Sequence, residues 1–366
     1  MSAPIRIGID ARELLGNTTG VGRYLGELVR RWTVRDDAAS RRFVLYSPEP
    51  LQVTFAEEAA ENRVVPGGRG TWWEQTALGQ AVRRDRPDVF FAPAYTAPLA
   101  LRMPLAVTIH DISFIARPEW FRPRERWRRR LLTTRAARRA AVIFTDSEFS
   151  RSELHSRLGV PLARVRVITP GVTSPSPATR PVSSAPRSPM VLFVGTLFNR
   201  RRLPDLIAAF SRATATVPEA RLVLVGADRT WPAQDLRREA ASRGIEDKVQ
   251  LLDYVNIESL SELYARASVF VFLSEYEGFG LTPLEALAAG VPIVVLDTAV
   301  AREVYGAAAE YVPCGDIDAT AAAIARFINS PAAAREQLAH APAVLARYSW
   351  ERAADETLRQ IETVAR

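Results

Sequence analysis

The sequence predicts an α/β protein built from two doubly wound parallel-sheet domains. Three observations carry that expectation. Short apolar runs alternate with helix-length amphipathic segments along most of the chain. The alternation breaks once, at a stretch rich in Ser, Pro, Ala and Thr, and then restarts. The chain has 366 residues, enough for two domains that each bury a core.

In the first half, strands are expected at Ile5–Ile9, Phe43–Tyr46, Val89–Ala92, Leu105–Ile109, Val142–Thr145 and Val165–Ile168. Helices fall between them, for example Gly22–Thr33 and Thr71–Arg84. This gives a domain over residues 1–172, followed by a linker over 173–189. A second domain spans 190–349, with strands at Val191–Val194, Leu222–Val225, Gln250–Leu252, Val269–Leu273 and Ile293–Leu296. A last helix, 350–366, is not followed by a strand and is expected to cross back to the first domain. Two such halves suggest domains facing a cleft. Ligands of parallel sheets bind beyond the carboxyl ends of the strands, so the chemistry belongs in those loops.

Composition removes several function classes. The net charge of +7 invites nucleic acid or anionic lipid, but 24% charged residues include a single lysine, Lys248, among the arginines. A P-loop needs a lysine after its glycines, and only Lys248 could form a Schiff base, so ATP-driven phosphoryl transfer and pyridoxal chemistry are disfavoured. One cysteine, Cys314, rules out an intrachain disulfide framework. The first strand starts too close to Met1 for a signal peptide, and no apolar run reaches the ~20 residues that span a bilayer. The expected location is cytoplasmic, with the inner face of a membrane as an option.

Val269–Leu296 carries the most information. A buried strand runs into Ser274-Glu275-Tyr276-Glu277-Gly278-Phe279-Gly280-Leu281, and a helix is expected with Thr282 as cap and Pro283 in its first position. Its free N–H groups and positive dipole end suit an anion, and Gly278 and Gly280 let a phosphate approach the backbone. Glu285 reads two ways, as the last residue of a capping box begun at Thr282 or as a functional carboxylate. Glu277, beside a glycine turn, is not needed for folding and reads as functional.

The stretch Ser274–Ala286 resembles the E-x7-E signature of the family 4 retaining glycosyltransferases, which have the GT-B fold. The resemblance implies that Glu277 contacts donor-sugar hydroxyls and Glu285 the ribose, while the backbone of Phe279, Gly280, Leu281 and Thr282 cradles a diphosphate. Family members often carry proline where this chain has Thr282. A second segment, Val194-Gly195-Thr196-Leu197-Phe198-Asn199-Arg200-Arg201-Arg202, resembles the family's strand and loop ending in Arg-Lys. It implies a diphosphate role for Arg200 and Arg201, with Arg201 in place of the lysine; guanidinium binds phosphate well, in a different geometry. The same alignment puts Val255 beside the nucleotide base and Val225-Gly226 near the pocket, although packing alone explains the latter pair.

In the first half, Gly20-Val21-Gly22 opening a helix mimics a dinucleotide fingerprint. The glycines come about ten residues too late, and Tyr46-Ser47 stands where a ribose-binding carboxylate would end the second strand. The resemblance instead turns Gly20 and Gly22 toward the donor phosphates and the acceptor. His110 in Thr108-Ile109-His110-Asp111 matches the family's histidine beside the donor sugar; a histidine satisfied in the core is the alternative. Ser147 matches a recurring element that is equally readable as structural. Asp316-Ile317-Asp318 reads as a helix cap, so no metal site is expected.

The expected activity is transfer of a hexose, mannose favoured, from a nucleotide diphosphate sugar (GDP-mannose favoured) to a glycan or lipid-linked acceptor. Retention by front-face attack, without metal or cofactor, follows from the resemblance, with His110, Glu277, Arg200 and Arg201 as catalytic candidates. The alternatives are a sugar-nucleotide epimerase of the same fold and a basic, non-catalytic binding protein. Nucleic acid is not an expected partner, because the informative residues are carboxylates and glycines in loops. Arg117–Arg139, with Trp120, Phe121 and Trp127 interleaved, suits an anionic membrane surface or a solvated helix face.

Overall fold

The computed structural model describes residues 4–16, 20–37, 40–53, 55–56, 59–173 and 188–366. Most of the expected linker, residues 174–187, lies outside the described residues. The chain divides into two compact units. One comprises the residues up to Ala116, Pro123–Gly171 and Ser349–Arg366; the other comprises Arg117–Arg122 and the chain from Val172 to Tyr348.

The first unit is a parallel sheet of seven strands: β1 (Ile5–Asp10), β2 (Arg41–Ser47), β3 (Ala60–Val64), β4 (Val89–Ala92), β5 (Leu105–Thr108), β6 (Val142–Thr145) and β7 (Val165–Val167). Their spatial order is β3-β2-β1-β4-β5-β6-β7. The order reverses between β1 and β4, which opens a crevice at their carboxyl ends. Strand β3 was not expected from the sequence. Its residues Ala-Glu-Asn-Arg-Val mix charge with apolar character because it is an edge strand exposed along one side.

The helix Gly20–Thr33 packs on this sheet because its apolar residues recur at helical spacing: Tyr24, Leu25, Leu28, Val29 and Trp32 are all buried. The final helix, Trp350–Ala365, belongs to the same unit and buries Trp350, Ala353, Ala354, Leu358 and Ile361 in the same core. The Trp32 indole N–H donates to the Ala354 carbonyl at 2.8 Å. Arg31, Arg35 and Arg41 pair with Glu351, Asp355 and Glu362 of that helix. The helix is therefore fixed to the first unit by a core stripe and a rim of ion pairs.

The second unit holds β8 (Met190–Val194), β9 (Arg221–Val225), β10 (Val249–Leu252), β11 (Val269–Phe272), β12 (Ile293–Leu296) and β13 (Glu310–Val312). All pair in parallel, in the order β10-β9-β8-β11-β12-β13. β8, β11 and β12 are fully buried apolar runs, as strands covered on both faces must be. The three-residue edge strand β13 was also not expected, being too short to show a period. Here the order reverses between β8 and β11.

Candidate active site

The loops after β8 and β11 flank the reversal point of the second unit, and they carry the candidate residues. After β8 a short 3₁₀ turn, Asn199–Arg201, leads into the helix Leu203–Ala213. After β11 the chain runs through Ser274 to Gly280, and the helix Leu281–Ala288 begins. The Glu275 N–H donates to the Arg200 carbonyl at 2.9 Å, stitching the two loops together.

Both arginines of the first loop reach Glu277 of the second. The Arg201 guanidinium ion-pairs with Glu277 Oε1, and Arg200 Nε lies 3.5 Å from the same oxygen. Ser274 Oγ donates to that oxygen at 2.5 Å. The Arg201 guanidinium also sits over the Phe272 ring, 4.3 Å from its centroid, on the last residue of β11. The three side chains are nearly buried, at 10–12% exposure, so the cations are held in a defined place.

Gly280 takes φ +93°, a conformation glycine adopts at little cost, and serves as N-cap of the helix. Its carbonyl accepts from the Tyr305 hydroxyl at 2.9 Å. Burial, aided by the nearby Glu277 carboxylate, holds the Tyr305 phenol well above its ordinary pKa, so it stays a donor. Phe279 is buried edge-on against Tyr348, with ring centroids 5.1 Å apart. Glycine is also required at Gly226, at the end of β9: its φ is +150°, and a Cβ there would collide with the Gly195 carbonyl.

The capping-box reading of Glu285 is corrected. The helix begins two residues earlier than expected, at Leu281, with no side-chain cap on Gly280. Glu285 is thus the fifth helical residue, beyond the reach of the N-cap N–H that a capping box requires. Its carboxylate is buried and accepts from the Tyr264 hydroxyl at 3.3 Å. Val255 lies in the turn after β10, at the same carboxyl edge but two strands away from β8.

The first unit has a polar cluster of its own at its strand ends. His110, after β5, is 13% exposed and is bonded on both ring nitrogens. Nδ1 is 2.7 Å from Asp146 Oδ2 and Nε2 is 3.1 Å from the Pro93 carbonyl. A carboxylate and a carbonyl both accept, so the imidazolium is the form that satisfies both. Burial opposes that charge, but the Asp146 charge and hydrogen bond outweigh it and raise the His110 pKa above its ordinary value. Tyr24 and Tyr95 pack edge-on against the ring.

Nearby in the fold, Arg12 bridges two buried carboxylates, Asp10 at 3.0 Å and Glu74. Thr96 Oγ1 and Gln75 Nε2 complete Glu74, at 2.7 and 2.6 Å. Burial pushes the Asp10 carboxyl up to about 6, with Arg12 opposing. Glu74 opens a π-helical turn, Glu74–Leu78, between the helical segments Thr71–Trp73 and Gly79–Asp85. Gly20 and Gly22 form the first turn of the Gly20–Thr33 helix, and a Cβ on Gly20 would meet open space. Ser147 caps the helix Glu148–Leu158 by accepting from the Ser150 N–H. Sequence reasoning missed Asp146, Arg12, Glu74, Tyr264 and Tyr305; of these, only Asp146 and Arg12, each just beyond a strand end, had a signal to follow.

Asp316 accepts from the Ala319 N–H as a helix cap and Asp318 pairs with Arg212. Among the described residues no cluster of His, Cys, Asp or Glu has metal-site geometry, and no helix is long and apolar enough to cross a membrane. The basic stretch Arg117–Arg139 is not a single element. Arg117–Arg122 groups with the second unit, and Pro123–Arg139 is a helix of the first, with Trp127 67% exposed.

Two family models match in tandem. Glycosyltransferase Family 4 matches residues 18–174 and Glycosyl transferases group 1 matches residues 177–342. The chain belongs to glycosyltransferase family 4. It is a glycosyltransferase, and its two sheets are those of the GT-B fold. It is 28% identical to the Escherichia coli O-antigen chain mannosyltransferase B, over 93% of this chain and 95% of that one. It is 31% identical to the Xanthomonas campestris GDP-mannose:cellobiosyl-diphosphopolyprenol alpha-mannosyltransferase, over 55% and 51%. WaaG, a glycosyltransferase of lipopolysaccharide biosynthesis, superposes with a TM-score of 0.76 at 14% identity, over 98% of this chain and 99% of WaaG. Anabaena HepE, crystallised with UDP and glucose, superposes with a TM-score of 0.75 at 18% identity, over 98% and 99%.

Proposed function

We propose that this glycosyltransferase is a retaining, metal-independent mannosyltransferase that takes its sugar from GDP-mannose. The observation that carries the donor class is the convergence of Arg200 and Arg201 on Glu277, beside the Gly278–Thr282 backbone at a helix start. Two guanidinium groups beside the positive end of a helix are what a diphosphate leaving group needs, since its charge grows as the glycosidic bond breaks. That pair of cations takes the part a divalent ion would otherwise play. The names of the mannosyltransferase relatives support mannose and a glycan or lipid-linked acceptor.

In the proposed step the bond from the anomeric carbon to the β-phosphate oxygen breaks. The acceptor oxygen bonds to that carbon on the same face, and the acceptor proton passes to the departing phosphate. Glu277 holds donor hydroxyls and the arginines, Glu285 holds the ribose, and Val255 borders the base. Gly20 and Gly22 serve the donor phosphates and the acceptor, and His110 stands beside the donor sugar as an electrostatic group whose charge Asp146 sustains. The exposed Trp127 and the arginines of Pro123–Arg139 rest on anionic lipid to reach a lipid-linked acceptor.

A thermal-shift panel of GDP, UDP, ADP and TDP, with their sugars and chelator present, tests the donor site. Selective stabilisation by GDP, lost in Glu285→Ala and Arg201→Ala, is the expected result; a flat panel in folded protein sinks it. The anomeric configuration of the product by NMR tests retention. Sedimentation with anionic vesicles at low salt, comparing wild type with Trp127→Ala, tests the membrane contact.

A further inference from the structure

Arg202 sits between the two loops of the second unit and occupies a backbone conformation that disfavours it. Its φ and ψ are +50° and +42°, the left-handed region, which a glycine would fill without strain. What the position gains from arginine is therefore its side chain. Nε donates to Asp205 Oδ2 at 2.6 Å, within its own helix start, and Nη1 donates to Glu275 Oε1 at 2.8 Å, across to the other loop. All three side chains are about a quarter exposed. They leave one planar guanidinium forked between the helix that follows the Arg200–Arg201 turn and the segment that carries Glu277.

We infer that Arg202 is a positioning residue: it clamps the turn bearing Arg200 and Arg201 to the loop bearing Glu277 and the helix start. The clamp lies one residue beyond Arg201 on one side and two before Glu277 on the other. It works in parallel with the Glu275 N–H to Arg200 carbonyl bond, so the side chain of Glu275 and its backbone tie the same two loops. With both ties in place the two guanidinium groups are fixed before a ligand arrives; with the backbone tie alone the turn can pivot. A misplaced cation loses most where the charge is densest, so the β-phosphate should feel the clamp and the nucleoside should not. This inference rests on the reading of Arg200 and Arg201 as diphosphate ligands.

The test is the affinity of GDP and UDP, each against its own monophosphate, by calorimetry on wild type, Arg202→Gly, Glu275→Ala, the double variant and Arg201→Ala. Arg202→Gly is expected to weaken the diphosphate about tenfold and leave the monophosphate within about twofold. Its Tm should stay within about 2 °C of wild type, because relief of the left-handed backbone offsets the lost, partly exposed ion pairs. Glu275→Ala separates clamping from simple charge. Removing a negative group should tighten diphosphate binding by Coulomb's law alone, whereas a lost clamp weakens it several-fold. The double variant should be no weaker than Arg202→Gly, since each change removes the same link. Tighter binding in Glu275→Ala, additive losses, or a normal ratio in Arg202→Gly beside a weakened Arg201→Ala overturns the clamp alone. Wild-type protein showing no dependence on the β-phosphate, or Arg201→Ala keeping the wild-type ratio of diphosphate to monophosphate affinity, overturns the diphosphate reading and the clamp with it.

Discussion

Gly280→Ala tests whether the helix start at the site is as rigidly built as its contacts imply. Alanine at φ +93° carries the left-handed penalty, about 1 kcal/mol. A Cβ there would also lie well under 3.0 Å from the Tyr305 hydroxyl, so that oxygen must retreat by about 1 Å. The retreat breaks its 2.9 Å bond to the Gly280 carbonyl and strands a buried phenol, at about 1–3 kcal/mol. The expected total is roughly 2–4 kcal/mol, confined to the second unit. Two units need not melt together, so the assay is hydrogen exchange along a urea series, read by mass spectrometry on peptides from β11 and β12. Tyr305→Phe in the same chain removes the colliding oxygen and should recover more than half of the loss, leaving the backbone penalty. A loss below about 1 kcal/mol, or no recovery in the double variant, would show that the loop yields and that the argument from collision is wrong.

Other outcomes follow from the buried groups. Asp10 has a folded pKa near 6 against 3.8 unfolded, so the folded state binds its proton more tightly. The stability of wild type relative to Asp10→Asn should fall as pH rises from about 4 to 6.5, by at most about 3 kcal/mol, and a flat difference would refute the shift. For His110 the raised pKa gives a contribution fully present below pH 6.5 and lost as pH climbs through the folded value. Asp146→Asn should remove that dependence and lower the His110 pKa in an NMR titration. Gly226→Ala should unfold the second unit or prevent its folding, because the clash falls on the backbone of Gly195, which cannot turn aside; native-like circular dichroism would contradict this.

How much of this was readable beforehand depended on whether a residue's partner lay nearby in sequence. Glu277 and the two glycines after it stood at a strand end beside a helix start, and their spacing pointed to an anion site. The Arg200–Arg201 pair followed the first strand of its half in the same manner. Glu285 was ambiguous because Thr282-Pro283 looked like a helix start; the left-handed Gly280 caps the helix instead and moves Glu285 two positions further in. Tyr264 and Tyr305 were not readable at all, since each sits in an amphipathic helix where a buried tyrosine satisfies the period. Glu74 was hidden by a π-turn, which shifts the helical register and swings its carboxylate onto Arg12. The edge strands β3 and β13 escaped because one side of an edge need not be apolar and three residues show no alternation.

The two units treat buried charge differently, and the difference bears on the proposal that the second one holds the diphosphate. In the first unit Arg12 is divided between Asp10 and Glu74, and both nitrogens of His110 are engaged by protein oxygens. Such clusters are complete in themselves; an incoming phosphate would have to break a buried pair, so they fix the shape of the strand ends. In the second unit two guanidinium groups converge on one Glu277 oxygen beside a helix start. Glu277 there keeps Arg201 against Phe272, which holds the cation in a defined place before a ligand arrives. Removing Glu277 would not free the arginines for tighter binding. It would leave Arg201 buried beside an aromatic ring with less to hold it, and the cation would be expected to leave the position that makes it useful.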